Sequence, residues 1–413
     1  MDWSPVPSTS GSDAAVRSTD ADALLSRHAA ASVGYLADPF SAHLLSPAQR
    51  RNPAAVARRP PLINIGTHAR TWVVDSLVDQ FLALPHSDGR CQVLSLGAGT
   101  DSRFWRLRAK YHSSQSSSAP AWPCTKWVEV DFPEATAAKA RAVSTKPALR
   151  RCLRRNPDSD APPSPKDGIT IERGGLGLSS PYYALVPGDL RDLDDLADSL
   201  IGGRPRAAQS DSAANQPPRP NSSSSPPLDP SVPTLLLLEC VLVYLEPETT
   251  SRLLRWFCDT FRTLNSEEEE EGESGRRSAI VAYDPFRLQD QFGTIMKRNL
   301  ALRSLTLPGA ESTPTLSSLT DRLVAAGCTP SGSGALSIKQ IRDDVIPVDE
   351  LERVTKIEQI DEVEELNLVL EHYAVSWGTV AGPDNDSDRG DNDGTARRGI
   401  CLQSRSSKSG VDS

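Results

Sequence analysis

An α/β fold, built on a doubly wound and mostly parallel sheet of seven strands, is what this 413-residue sequence predicts. Three observations carry the expectation. The apolar run Val93-Leu94-Ser95-Leu96 breaks at Gly97-Ala98-Gly99 and passes into helical spacing, as a parallel strand does when it hands over to a helix beneath a nucleotide-like ligand. Thr234 to Tyr244 is almost unbroken apolar sequence, the mark of a central strand buried on both faces. Strand-like and helical runs then alternate along the chain, which is the pattern of a sheet covered by helices.

Composition narrows the class. With 33 Pro, 26 Gly and 38% apolar residues, much of the length lies outside a core, so one catalytic domain with inserts fits better than two domains. A net charge of -9 argues against nucleic acid, whose partners carry an excess of Lys and Arg. Met1 to Pro5 has no basic region leading into an apolar stretch, so no secretory signal is expected. Thr234 to Leu245, interrupted by Glu239, is the longest apolar run and falls short of the ~20 residues that cross a bilayer. These features predict a soluble, intracellular protein with no membrane partner; a cytoplasmic location, with the nucleus as a second compartment, and a monomeric state are further expectations. Seven scattered cysteines without a C-x-x-C pair and six dispersed histidines read as reduced thiols and no metal site.

In chain order, residues 1–19 are expected to be a disordered tail, with order beginning near Asp20, where acidic residues cap a helical pattern. Leu62 to Leu82 places Trp72 or Val73, Leu77 and Phe81 on one face of an amphipathic helix. Trp127 to Asp131 is the second strand, and Pro133 opens the helix after it, at a position where its missing N–H costs nothing. Tyr183 to Val186 and then Asp189 repeat the strand-to-acid pattern, Thr234 to Tyr244 follows, and Ala279 to Asp284 is the fifth strand. A helix through Gln291 to Met296, another at Leu316 to Ala326, a strand at Ala335 to Ile341, helices through Leu351 to Leu370 and a last strand near His372 to Val380 complete a domain over residues 20–381. Low-complexity inserts are expected near 111–120, 145–178, 203–232 and 265–277, and a mobile tail over 382–413. The Arg150, Arg151, Arg154, Arg155 cluster falls in a solvated insert on this reading.

Four strand ends carry the chemistry: Gly97 with Gly99, Asp131, Asp189 and Glu239. In a doubly wound sheet they share one edge and line one crevice. An acid after the second strand suits ribose hydroxyls, and one after the third can accept from an adenine amine; both fit an adenosine ligand, and NAD stays open at this point. The turn lacks the third glycine of a dinucleotide fingerprint, and Asp101 stands where a pyrophosphate would meet the helix start. A phosphate-free, cationic ligand such as S-adenosylmethionine therefore fits better, with Glu239 placed to meet its positive group.

Taken in order, the pieces resemble the leucine carboxyl methyltransferases. They are Ser32-Val33-Gly34-Tyr35 with Asp38-Pro39, Ala69-Arg70, Leu96 to Asp101 with Phe104 to Leu107, Glu129 to Pro133, Asp189 to Leu193, Glu239 to Tyr244, Asp290 to Met296 and His372-Tyr373. The resemblance implies a Rossmann-like class I methyltransferase fold that uses S-adenosylmethionine. It also implies a substrate, the C-terminal leucine carboxylate of the catalytic subunit of type 2A protein phosphatase. By the same resemblance Arg27 and Arg70 would hold the methionine carboxylate, Gly97 would line the cofactor backbone and Asp131 would take the ribose. Asp189 and Leu190 would flank the adenine, and Glu239 would face the methionine end. Ile65 and His68 stand where the family more often has an arginine and an aromatic.

A C-terminal carboxylate has a pKa of about 3.5 and is already ionised at neutral pH, so the reaction needs alignment and not a general base. Tyr244, just past the Glu239 strand, is the candidate to orient that carboxylate. Three other readings stay in play: a small-molecule O-methyltransferase, a phosphatase-binding protein without catalysis, and an NAD-dependent oxidoreductase, the last disfavoured by the glycine pattern and Asp101.

Overall fold

The computed structural model describes residues 11–52, 59–86, 90–113, 122–154, 167–202, 225–262, 277–382 and 399–405. Among the described residues four helices precede the sheet: α1 (Gly11–Val33), α2 (Ser41–Leu44), α3 (Pro47–Arg51) and α4 (Pro61–Ala83). Then come β1 (Cys91–Leu96), α5 (Arg103–Ser113), β2 (Cys124–Asp131), α6 (Pro133–Thr145), α7 (Pro147–Arg151), β3 (Thr170–Glu172), β4 (Gly177–Ser179), β5 (Tyr183–Pro187) and α8 (Leu193–Ile201). After these lie β6 (Thr234–Glu239), α9 (Pro247–Thr260), β7 (Ala279–Pro285), α10 (Gln291–Ala301) and α11 (Leu316–Ala326). The chain ends in β8 (Gly334–Ser337), α12 (Ile338–Gln340), α13 (Val348–Thr355), α14 (Val363–Glu371) and β9 (Tyr373–Thr379). Proline opens α4, α6 and α9, using a first-turn position where the N–H has no intrahelical partner to lose.

The nine strands among the described residues form one sheet in the order β3-β4-β5-β2-β1-β6-β7-β9-β8. β1 pairs in parallel with β2 on one side and β6 on the other, so strand order reverses between β1 and β6. Parallel pairing extends outward through β5 and β7, whereas β9 and β4 run antiparallel at the flanks. Side chains alternate between two cores. Val93, Leu235 and Leu237 join Val73, Leu77, Phe81 and Trp127 on one face. Leu94, Leu236 and Leu238 join Leu254, Phe257 and Ile280 on the other. With every residue of β1 and β7 buried, the sheet is covered on both faces, as parallel sheets require.

Several expectations need correction. The sheet of the described residues has two strands more than the seven expected, because β3 and β4 form a short hairpin at the end of the stretch read as a solvated insert at 145–178. In that same stretch Leu149 and Leu153 are fully buried, and Arg154 is buried and pairs with Asp167 at 3.2 Å; residues 155–166 lie outside the described residues. Helix α1 starts at Gly11, inside the stretch read as a disordered tail. In the 203–232 insert, Leu228 and Val232 are buried and Asp229 exchanges backbone hydrogen bonds with the Gln92 amide; the rest, 203–224, lies outside the described residues. In the C-terminal tail Ile400 is buried and the Cys401 N–H donates to Gln80 at 3.0 Å. The strand expected at 335–341 ends at Ser337, whose hydroxyl caps a helical turn and stops the ladder. Residues 1–10, 114–121, 263–276, 383–398 and 406–413 are not described, so the insert readings there stand only as expectations. Among the described residues no helix is long and apolar enough to cross a membrane.

Candidate active site

The strand-order reversal opens a crevice at the carboxyl ends of β1, β2, β5 and β6, where α/β sheets bind their ligands. A cavity of about 480 Å³ lies there, and Arg27, Arg70, Gly97, Asp131, Asp189, Leu190, Glu239 and Tyr244 all line it. Such a volume is within the range that holds a small-molecule ligand.

The glycine turn forms its floor. Gly97 has φ +62, and a Cβ there would stand 2.6 Å from Val241 Cγ2, while Gly99 has φ +44. Only glycine adopts such dihedrals readily and lets the backbone come this close to a neighbour. The Asp131 carboxylate braces the turn, accepting from Gly99 N–H at 2.7 Å and Phe132 N–H at 2.7 Å. Burial pushes this carboxyl above its usual range, and the two N–H donors oppose that push. Helix α1 closes the far side: Asp20 Oδ1 accepts from Thr100 N–H at 2.7 Å and from the Thr100 hydroxyl at 2.6 Å. At the outer end Asp189 is gripped by Arg191, whose guanidinium also binds Asp13 of α1 at 2.9 Å.

A charge network fills the inner end. Arg103 donates to Asp75 at 2.6 Å, Asp101 at 2.7 Å and Glu239 at 2.5 Å while only 2% of its side chain is exposed. Arg70 donates to the other Glu239 oxygen at 2.8 Å, Arg27 lies 3.7 Å from Asp101, and Arg106 pairs with Asp75. Four arginines face three carboxylates, a net charge of +1. Burial opposes ionisation of Glu239 and Asp101, yet the neighbouring arginines outweigh it and hold both below the usual carboxylate range. Asp101 is therefore neutralised in place and presents no free negative charge to a ligand, which removes the expectation that it repels phosphate on its own. Glu239 likewise meets two protein cations before any ligand.

Beyond Glu239 the backbone turns sharply. Cys240 has φ +57, a left-handed conformation that costs a non-glycine residue about 1–2 kcal/mol. A 3-10 turn, Leu242–Tyr244, follows and aims Tyr244 at the cavity. Burial raises the Tyr244 hydroxyl and the Cys240 thiol to about 12 each. Opposite them Tyr283 and Tyr373 stack with ring centroids 5.5 Å apart, and the Arg70 guanidinium sits 4.5 Å above the Tyr283 ring. Leu62, Ile63, Val369 and Leu370 supply an apolar wall. Ile65 and His68 are buried away from the cavity; His68 instead bonds Glu350 of α13 at 2.6 Å.

Arg103, Asp75 and Asp20 were not among the residues expected at the site. Arg103 carried a signal: a cation on the first residue of a helix opposes the helix dipole and calls for an acidic partner.

Fold and cavity together are those of a Rossmann-like enzyme with its ligand at the switch point. The leucine carboxyl methyltransferase family profile matches residues 15–209. Leucine carboxyl methyltransferase 1 of Cryptococcus neoformans is 40% identical over 390 residues, spanning 90% of this chain and 95% of that one. The protein of the same name from Aspergillus fumigatus is 35% identical over 91% of this chain and 85% of its own. The one from Rattus norvegicus is 30% identical over 90% and 91%. The chain belongs to the leucine carboxyl methyltransferase family, and its class is that of the S-adenosylmethionine-dependent carboxyl methyltransferases.

Proposed function

We propose that the protein transfers a methyl group from S-adenosylmethionine to the α-carboxylate of the C-terminal leucine of the type 2A protein phosphatase catalytic subunit, forming a methyl ester. One observation carries this reading: eight residues singled out along 218 positions, from Arg27 to Tyr244, line one cavity in a chain of this family.

The cavity fits the cofactor in charge and shape. Its inner end holds Arg27 and Arg70 within a net-positive network, and a guanidinium grips a carboxylate such as that of the methionine moiety through paired bonds. Gly97 has no side chain to hold the ligand backbone away. Asp131 would take the ribose hydroxyls, Asp189 and Leu190 would flank the adenine, and Glu239 would face the methionine end. When bound, S-adenosylmethionine supplies an electrophilic methyl group on a sulfonium.

The protein's task is to present one anion to that methyl group and no other. Cys240 and Tyr244, raised to about 12, stay protonated at neutral pH, and burial keeps the Tyr283 hydroxyl neutral as well. Glu239 is ionised but held by two arginines, which lowers its reactivity. The incoming terminal carboxylate, ionised without help, is then the free nucleophile. Tyr244, still carrying its proton, can donate to one carboxylate oxygen and align the other. The apolar wall of Leu62, Ile63, Val369 and Leu370 suits a leucine side chain and excludes water. Replacing Tyr244 by Phe with no change in KM for the phosphatase or in kcat would remove the orienting role.

Incubation with labelled S-adenosylmethionine, the purified catalytic subunit and a panel of small carboxylic acids tests the proposal. Label on the subunit supports it. Comparable label on free acids returns the small-molecule reading, and binding of the subunit without transfer returns the non-catalytic one. Seven free cysteines suit a reducing compartment such as the cytoplasm, which fractionation checks; sedimentation checks whether the protein is a monomer.

A further inference from the structure

The turn that carries Tyr244 is strained at Cys240, and contacts from a neighbouring strand hold it. The last residues of β7 do so at two points. The Tyr283 carbonyl accepts from Cys240 N–H at 2.6 Å, and the Asp284 carboxylate accepts from Val243 N–H at 3.3 Å. The second Asp284 oxygen accepts from Arg322 of α11 at 3.3 Å, and the carboxylate is 3% exposed. Neither Asp284 nor Arg322 lines the cavity. Nothing in the transfer chemistry uses this ion pair, yet it reaches across the sheet edge to the residue immediately before Tyr244.

We propose that Asp284, anchored by Arg322, is a positioning residue that fixes the Cys240–Tyr244 turn and thereby the Tyr244 hydroxyl at the reacting end of the cavity. The inference rests on the orienting role given to Tyr244 above. Its consequence is a dependence on pH. Burial raises the Asp284 carboxyl to about 6, against the pull of Arg322. The other groups facing it are Arg70 from α4 and Cys240 and Tyr244 from the turn itself; neither thiol nor phenol titrates below neutrality. As pH falls through about 6, Asp284 takes up a proton, the pair with Arg322 is lost and the turn loosens.

The test measures kcat, KM for the phosphatase and cofactor Kd between pH 5 and 8 in the wild type, Asp284→Asn and Arg322→Gln, with amide exchange at Val243 as a readout that needs no methyl transfer. In the wild type, kcat falls as pH drops through about 6 while cofactor Kd changes little. Asp284→Asn lowers kcat by about tenfold to a hundredfold, as expected for a misplaced contact group, and loses the acid limb. Arg322→Gln keeps the carboxylate without its counter-charge, so the limb moves to higher pH. Val243 exchanges faster in both variants. If Asp284→Asn fails to fold, the shifted limb in Arg322→Gln decides. Unchanged Val243 exchange in folded variants, or an acid limb that stays in place in Arg322→Gln, overturns the proposal. Loss of transfer in the wild type, with Val243 exchange responding as stated, points instead to the functional reading.

Discussion

Replacing Arg103 by Met should destabilise the protein by about 3 kcal/mol, the lower end of the ~3–5 kcal/mol for breaking a buried ion pair. Met fills most of the volume, so the cavity term is small. Asp75 keeps Arg106 and Glu239 keeps Arg70, but Asp101 is left with Arg27 at 3.7 Å in place of a 2.7 Å bond. The uncompensated charge is therefore mostly that of Asp101. Urea unfolding should show a lower midpoint with an unchanged slope. Adding Asp101→Asn to Arg103→Met should recover at least half the loss, because it removes the carboxylate left without its main partner. The pH dependence gives a second check. Asp75, Asp101 and Glu239 are all held below their ordinary range in the folded chain. Their contribution is thus present above the unfolded pKa of about 4 and is lost as pH falls below it. Without Arg103 their folded-state values rise toward the unfolded one, so the acid-dependent loss should be smaller and complete at a higher pH. A destabilisation under about 1 kcal/mol, or a double variant no more stable than the single, refutes the reasoning that this network is held by Arg103.

Three further outcomes follow from the same geometry. Gly97→Ala must hold alanine at φ +62 and within 2.6 Å of Val241 Cγ2, so cofactor Kd by calorimetry should rise by about tenfold, with about 1–2 kcal/mol of stability lost to the left-handed backbone. Asp20→Ala removes both bonds to Thr100; limited proteolysis should cut within residues 11–33 faster, and bound cofactor should restore less protection than in the wild type. Arg70→Ala should raise cofactor Kd by about tenfold or more, since a charge-assisted pair contributes ~1.5–3 kcal/mol, and an unchanged Kd would remove Arg70 from the site.

What the sequence made legible was whatever depends on local pattern. Apolar runs ending in Gly97, Asp131, Asp189 and Glu239 mark strand ends, and parallel pairing then forces those ends onto one edge. Partners set by distance in the chain were not legible. Arg103 meets Asp75 and Glu239, which lie 28 and 136 residues away, so Asp101 looked like a bare charge when it is a neutralised one. The hairpin β3–β4 escaped because its strands are three residues each and sit among Pro, Arg and Gly. Helix α1 begins early because what fixes it is tertiary, namely Asp13 on Arg191 and Asp20 on Thr100, and no periodicity in Gly11 to Thr19 announces that.

The most direct test of the central claim compares methyl transfer to the full-length phosphatase catalytic subunit with transfer to the same subunit lacking its terminal leucine, using labelled S-adenosylmethionine. A cavity that receives the leucine side chain and its carboxylate together predicts base-labile label on the first and none on the second. Equal labelling of both would contradict the account.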